Sequence, residues 1–250
     1  MFTTEERDHV RDRIIEMAKS DRRVTAGALI GSTAAGLGDQ WSDIDITFGI
    51  SEEDGTSLQA VLDDWTAWFD SELGALQHWD LPFGPSIYRV FLLPSGLEVD
   101  VSVTPQQEFH PRSPRWRTLF GTAGEMKSSP PADPQNLIGQ GWHLVLHSRA
   151  AIERGKPWHA EYCISELRDH TLALMCLRLG ESTAYAKGVD RLPTSVTKPI
   201  ADALVRSLDK PELRRALAVA TGCFIAELEA WDAALCAHLK PILQEFGTDE

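Results

Sequence analysis

The segment from Ala28 to Ile50 constrains this chain more than any other. An apolar run ends in Gly31-Ser32. A ten-residue spacer of mostly small and polar residues follows, and a second apolar run opens with Asp43-Ile44-Asp45. Both runs have the length and branching of strands. In a strand, residues two apart face the same side, their Cα atoms about 7 Å apart. Asp43 and Asp45 therefore share a face, and Ile44, Ile46, Phe48 and Ile50 share the opposite, core-forming one. Two carboxylates aimed together repel unless positive charge lies between them. A pair of Mg²⁺ ions about 3.5–4 Å apart is a natural occupant, and it suits in-line displacement at phosphorus.

A third acid follows by alternation. Ser86–Leu93 and Leu97–Val103 read as the arms of a hairpin turned at Pro94-Ser95-Gly96. In the second arm Leu97, Val99, Val101 and Val103 alternate with Glu98, Asp100 and Ser102. Asp100 points away from the apolar set, in mid-strand, where an acid is disfavoured. No Lys or Arg occurs from Val24 to Tyr88, so these acids have no cation near them in sequence.

The rest of the chain reads as helices and connections. Thr3 and Glu6 form a capping box for a helix to about Ser20. A second helix is expected over Thr56–Leu73. Residues 104–133 are rich in Pro and Arg, with one short element around Trp116–Phe120. Asp133-Pro134 is a cap and first-turn pair. Helices are expected over 134–154, 157–179, 194–208 and 211–246, the last kinked or split by Pro241. The fold class is thus α/β (α+β): a mixed sheet flanked by helices over 1–125, a linker at 126–133, and an all-helical domain over 134–250.

Composition narrows the function. The chain carries a net charge of −13, and residues 1–130 hold 21 acids against 11 Lys and Arg. Sequence-independent nucleic-acid binding needs a basic surface, so no nucleic-acid partner is expected. Cys163, Cys176, Cys223 and Cys236 have no C-x-x-C spacing and read as buried thiols. No apolar run is long enough for a membrane span, and the charged start, Met1 to Arg13, lacks a leader's apolar core. A cytoplasmic protein with no membrane partner is the expectation.

Taken together, Gly31-Ser32, the spacer, Ser42-Asp43-Ile44-Asp45 and Asp100 resemble the polymerase-β-like nucleotidyltransferase superfamily. More narrowly they resemble stand-alone bacterial nucleotidyltransferases that adenylylate aminoglycoside and lincosamide antibiotics. That resemblance implies a Mg²⁺-dependent enzyme using two metal ions and ATP or another nucleoside triphosphate. It would move AMP onto a hydroxyl of a small acceptor and release pyrophosphate. By the same resemblance Asp43, Asp45 and Asp100 would ligate metal, and Gly31 and Ser32 would hold the β- and γ-phosphates. The general base would be Asp100, with Glu166 as the alternative base or an acceptor contact. Lys187 would reach the triphosphate from the helical domain. AMP transfer to a protein side chain, and a catalytically silent antitoxin-like module, are the competing readings.

Two clusters stay open on the residues alone. Arg112, Arg115 and Arg117 suit either phosphates or the surplus acids. His143 and His147 have the spacing of two metal ligands, but without an intervening Glu they read as helix-face histidines.

Overall fold

The computed structural model describes residues 2–128 and 130–247. Ser129, inside the expected linker, lies outside them, as do Met1 and residues 248–250 at the end of the expected helical domain. The chain divides into two units, Met1–Ser129 and Pro130–Glu250.

In the first unit, α1 (Thr4–Ser20) starts on the expected capping box. The Thr3 hydroxyl accepts from the Glu6 amide at 3.1 Å, and the Thr3 amide donates to the Glu6 carboxylate at 2.7 Å. Strands β1 (Val24–Ile30) and β2 (Ile44–Ile50) pair antiparallel. Between them lies a single turn of helix, α2 (Gly31–Ala34). Ser57 caps α3 (Leu58–Trp68), which runs on through a wider turn, Phe69–Leu73. Strands β3 (Gln77–Phe83), β4 (Ser86–Leu92), β5 (Glu98–Pro105) and β6 (Trp116–Phe120) complete the sheet. Its order among the described residues is β3-β4-β5-β2-β1-β6, with β2 and β5 parallel and the other pairs antiparallel.

The sheet has two unlike faces. Ile46, Phe48, Val99, Val101 and Val103 are wholly buried on one, where they pack with Ile14 of α1 and Val61 and Leu62 of α3. That burial is the main hydrophobic driving force of this unit. The other face carries Asp45, Thr47, Asp100, Ser102 and Thr104. Arg89, the first cation after the acid motif in sequence, lies on the helix-covered face. It is 2% exposed, and its guanidinium meets Asp80 at 2.6 and 2.7 Å, Asp63 at 3.0 Å and the Thr66 hydroxyl at 2.8 Å. The cation nearest Asp100 in sequence thus serves the wrong side of the sheet to balance the acids.

The second unit is helical: α4 (Pro134–Glu153), α5 (Pro157–Arg178), α6 (Thr194–Ala201), α7 (Lys210–Trp231) and α8 (Ala233–Gly247). Asp133 caps α4 by accepting from the Gln135 amide at 2.9 Å. Val145, Ile164, Leu167, Leu217 and Phe224 form its core. Two helix boundaries differ from expectation. Helix α6 stops at Ala201 rather than 208, because Arg215 takes the carbonyls of Asp202 and Leu204 at 2.6 and 3.0 Å. The long last helix breaks at Asp232, not at Pro241. Asp232 is extended, and its carboxylate caps α8 by accepting from the Leu235 amide at 2.9 Å. Pro241 sits inside α8. All four cysteines are free, and burial pushes each thiol up. Among the described residues no helix is long and apolar enough to cross a membrane.

Two outcomes test this account. Arg89→Ala leaves Asp80 and Asp63 without their shared cation and should destabilise the protein by about 2–3 kcal/mol, below the cost of a fully buried pair because both acids reach solvent. Urea unfolding measures it. Glu153 is held down at about 2 by Arg214 and Lys210. A depressed carboxylate contributes above its ordinary value and loses that contribution as pH falls through its folded value. The melting-temperature deficit of Glu153→Gln should therefore be small, narrow between about pH 4.5 and 2, and shrink in high salt.

Candidate active site

The site grows from the end of β1. Gly31 has φ 70°, a left-handed conformation that favours glycine. A Cβ placed there would lie 2.9 Å from the Asp45 Cγ and closer still to one carboxylate oxygen. Glycine is therefore required twice, for the turn and for the acid it lies against. The following turn is tied by polar contacts. The Leu37 amide donates to the Ser32 carbonyl at 3.0 Å, and the Ser32 and Ser42 hydroxyls meet at 3.3 Å. Asp39 accepts from the Trp41 amide at 2.9 Å and the Ser42 hydroxyl at 3.1 Å, which lower its pKa. From α1, the buried Arg7 guanidinium donates to the Asp39 carbonyl. Ser32 and Asp43 are thus held at the two ends of one braced turn.

The acids converge through the sheet register. Asp45 of β2 pairs directly with Asp100 of the parallel strand β5. Asp43, just before β2, joins them. One oxygen from each of the three carboxylates lies within 4.8 Å of the others, and all three residues are half-buried. No other trio of His, Cys, Asp or Glu among the described residues meets that spacing. Three carboxylates form a hard-oxygen donor set, which suits Mg²⁺ or Mn²⁺ rather than a softer metal.

Two neighbours of the acid face come from outside the motif. Tyr88 of β4 lies opposite Ser102, one pleat along the acid face from Asp100. Burial pushes its phenol up; the Arg112 guanidinium pulls it the other way, and the Asp45 and Asp100 carboxylates add to the rise. Arg112 sits 5.4 Å from the Phe83 ring. Of the basic cluster, Arg112 is thus the member next to this face. Arg117 pairs with Leu29 and belongs to the opposite side of the sheet. Arg7 and Tyr88 depend on register and on turn packing, and only alternation along β4 could have pointed to Tyr88.

Glu166 and Lys187 belong to the second unit. Glu166 is half-buried on α5, and its carbonyl is 2.7 Å from Nδ1 of His170. The other His170 ring nitrogen meets the Gln140 side chain of α4. Lys187 is exposed after Tyr185 and Ala186, both at positive φ, and its ammonium lies 5.7 Å from the Tyr185 ring. A cavity of about 280 Å³ lies beside this segment, lined by Asp169, Leu172, Cys176 and Tyr185 among others. The rings of His143 and His147 lie tilted to one another on α4, 4.1 Å apart, with His159 of α5 at 6.4 Å from His147.

No family model matches the sequence, and no curated protein matches it. Among solved structures, the crystal structure of an aminoglycoside 6-adenyltransferase from Bacillus subtilis is similar over 98% of this chain and 99% of that one, at 12% identity and a TM-score of 0.42.

The Gly31 contact can be separated from its backbone cost. Gly36 has φ 71°, and a Cβ there would meet nothing within 4 Å. Gly36→Ala should cost only the left-handed conformation, about 1 kcal/mol. Gly31→Ala should cost more and also displace Asp45, weakening Mn²⁺ binding read by electron paramagnetic resonance. Equal Mn²⁺ affinity in both variants would refute the coupling of Gly31 to Asp45.

Proposed function

We propose that this protein is a Mg²⁺-dependent nucleotidyltransferase that moves a nucleoside monophosphate, AMP from ATP in the first instance, onto a hydroxyl of a small molecule. The observation that carries the reading is the convergence of Asp43, Asp45 and Asp100 on one sheet face, beside a glycine that only its missing side chain lets approach Asp45. The motif's resemblance to antibiotic-modifying nucleotidyltransferases makes aminoglycosides and lincosamides the first acceptors to test.

Each side chain then has a task. Asp43 and Asp45 would hold the two metal ions between them, and Asp100 would complete the coordination of the second. When bound, the ions would supply positive charge to the phosphates and lower the pKa of the attacking hydroxyl. The backbone at Gly31 offers close approach for the triphosphate, and the Ser32 hydroxyl donates to a phosphate oxygen. No Lys or Arg lies in the turn from Ser32 to Asp43, so a side-chain cation for the triphosphate, added to the ions, would come from elsewhere. Lys187 is assigned that part. Asp100 accepts the proton as the acceptor oxygen bonds the α-phosphorus, with Glu166 as the alternative base. The bond from the α-phosphorus to the bridging oxygen breaks, and pyrophosphate leaves.

The test is an acceptor panel containing ATP and Mg²⁺, read by pyrophosphate release. Asp45→Asn and Asp100→Asn should each lower turnover at least about 10²–10³-fold. Without divalent metal, Asp45→Asn should also melt higher than the wild type, because one of three crowded charges is gone. Retained turnover in Asp45→Asn would show that the acids do not hold the metal.

A further inference from the structure

The register places an exposed tryptophan in the same row as the acids. Asp45 pairs with Asp100, Asp100 with Val90, and Val90 with Trp79 of the edge strand β3. Directly paired residues share a face, so Trp79 stands on the acid face, two strand spacings from Asp100, or about 10 Å. Its side chain is 62% exposed. Leu81 and Phe83, at 40% and 48%, continue the same face along β3. Tyr88 lies between Leu81 and Ser102 and Arg112 lies over the Phe83 ring, so the apolar wall also carries a hydroxyl and a guanidinium.

The order of the sheet decides which substrate this wall meets. The Gly31-Ser32 turn leaves β1, on one side of β2. Strands β4 and β3 lie beyond β5, on the other side of the acids. If the nucleotide's phosphates lie against the turn, an in-line attack brings the acceptor from the side of Asp100. The next groups met in that direction are Val90 and then Trp79. An indole about 10 Å from the reacting hydroxyl is beyond the reach of a lone six-membered ring held at the acids. It is within reach of a second ring joined to the first.

We propose that Trp79 is the stacking wall of the acceptor subsite, and that it selects acceptors in which a second ring lies beside the ring bearing the reacting hydroxyl. The inference rests on the nucleotidyltransferase reading for the acceptor's position. The indole presents its face to the CH-rich face of that second ring, with Leu81 extending the contact. Trp79 is a specificity-determining contact and takes no part in proton transfer.

The experiment uses the full chain with 5-fluorotryptophan at its eight tryptophans. The Trp79 resonance is assigned by its loss in Trp79→Phe. The probes are kanamycin A and lincomycin as multi-ring compounds, 2-deoxystreptamine as a single ring, and ATP with Mg²⁺. The expected result is a Trp79 shift with a multi-ring probe, none with 2-deoxystreptamine, and none with ATP and Mg²⁺ alone. In steady state, Trp79→Ala should raise the multi-ring acceptor's KM about three- to tenfold relative to that for ATP, with Trp79→Phe restoring most of it. An unmoved Trp79 resonance with every multi-ring probe overturns the proposal. So does a shift with ATP and Mg²⁺ alone, which would make Trp79 a nucleobase contact, or a wild-type dimer that Trp79→Ala dissociates in sedimentation. A Trp79 shift without any pyrophosphate release would sink the transfer reading and keep the ring-stacking site. Pyrophosphate release with an unmoved Trp79 would do the reverse.

Discussion

The parallel pairing of β2 with β5 is the constraint on which the first unit turns. It sets Asp45 directly beside Asp100, at one strand spacing of about 4.8 Å. Two unit charges about 5 Å apart at an effective dielectric of 20 repel by about 3 kcal/mol, and Asp43 adds to that crowding. A sheet accepts the arrangement because its other face is so thoroughly buried. Ile46, Phe48, Val99, Val101 and Val103 hold the same two strands together from behind. The apolar face thus stabilises a register in which the polar face is electrostatically loaded. A divalent cation bound there would convert that load into affinity, so that a cost to folding could serve binding.

The turn between β1 and β2 has to be as stiff as the strands, or the register would be wasted. Its stiffness comes from small residues and fixed polar contacts rather than from core burial. Gly31 admits the Asp45 carboxylate, Ser42 links Ser32 to Asp39, and Arg7 reaches from α1 to the Asp39 carbonyl. Arg7 therefore acts at a distance from the acids, by holding the backbone that presents Ser32 and Asp43. Side chains locked by such supporting contacts keep a site near its working geometry.

What could be read from residues alone was whatever depends on local period. The apolar runs marked β1 and β2, and alternation in β5 set Asp100 on the polar side. Capping chemistry at Thr3 and Asp133 marked helix starts. Strand β3 escaped notice because Gln77–Phe83 contains Pro82 and Asp80 and its larger apolar side chains face solvent. Those are features of an edge, not of a core strand. The break at Asp232 escaped because a cap decided it, while Pro241 drew the expectation. Arg7 and Trp79 were invisible for a different reason. Their places follow from cross-strand register and from the packing of α1 on a turn more than twenty residues away. Neither leaves a trace in spacing along the chain.

An edge strand that shows Trp79, Leu81 and Phe83 to solvent is a liability for aggregation. Pro82 reduces it by removing one amide donor from the strand, yet the apolar side chains persist. They persist on the acid face, in the rows that begin at Asp100, Ser102 and Thr104, whereas Asp80 and His78 of the same strand face the helix side. The helix-side pair is accounted for by Arg89 and by the Phe91 ring, 5.9 Å from His78. On the other side Phe83 packs edge-on against Tyr88 and under Arg112, whereas Trp79 faces Val90 and stays 62% exposed. An apolar surface kept at a cost in solubility, and continuing the row of the acids, fits the proposed acceptor side of the same site. On the proposed reaction, the acids would define where phosphorus is attacked, and the edge strand the shape of what attacks it.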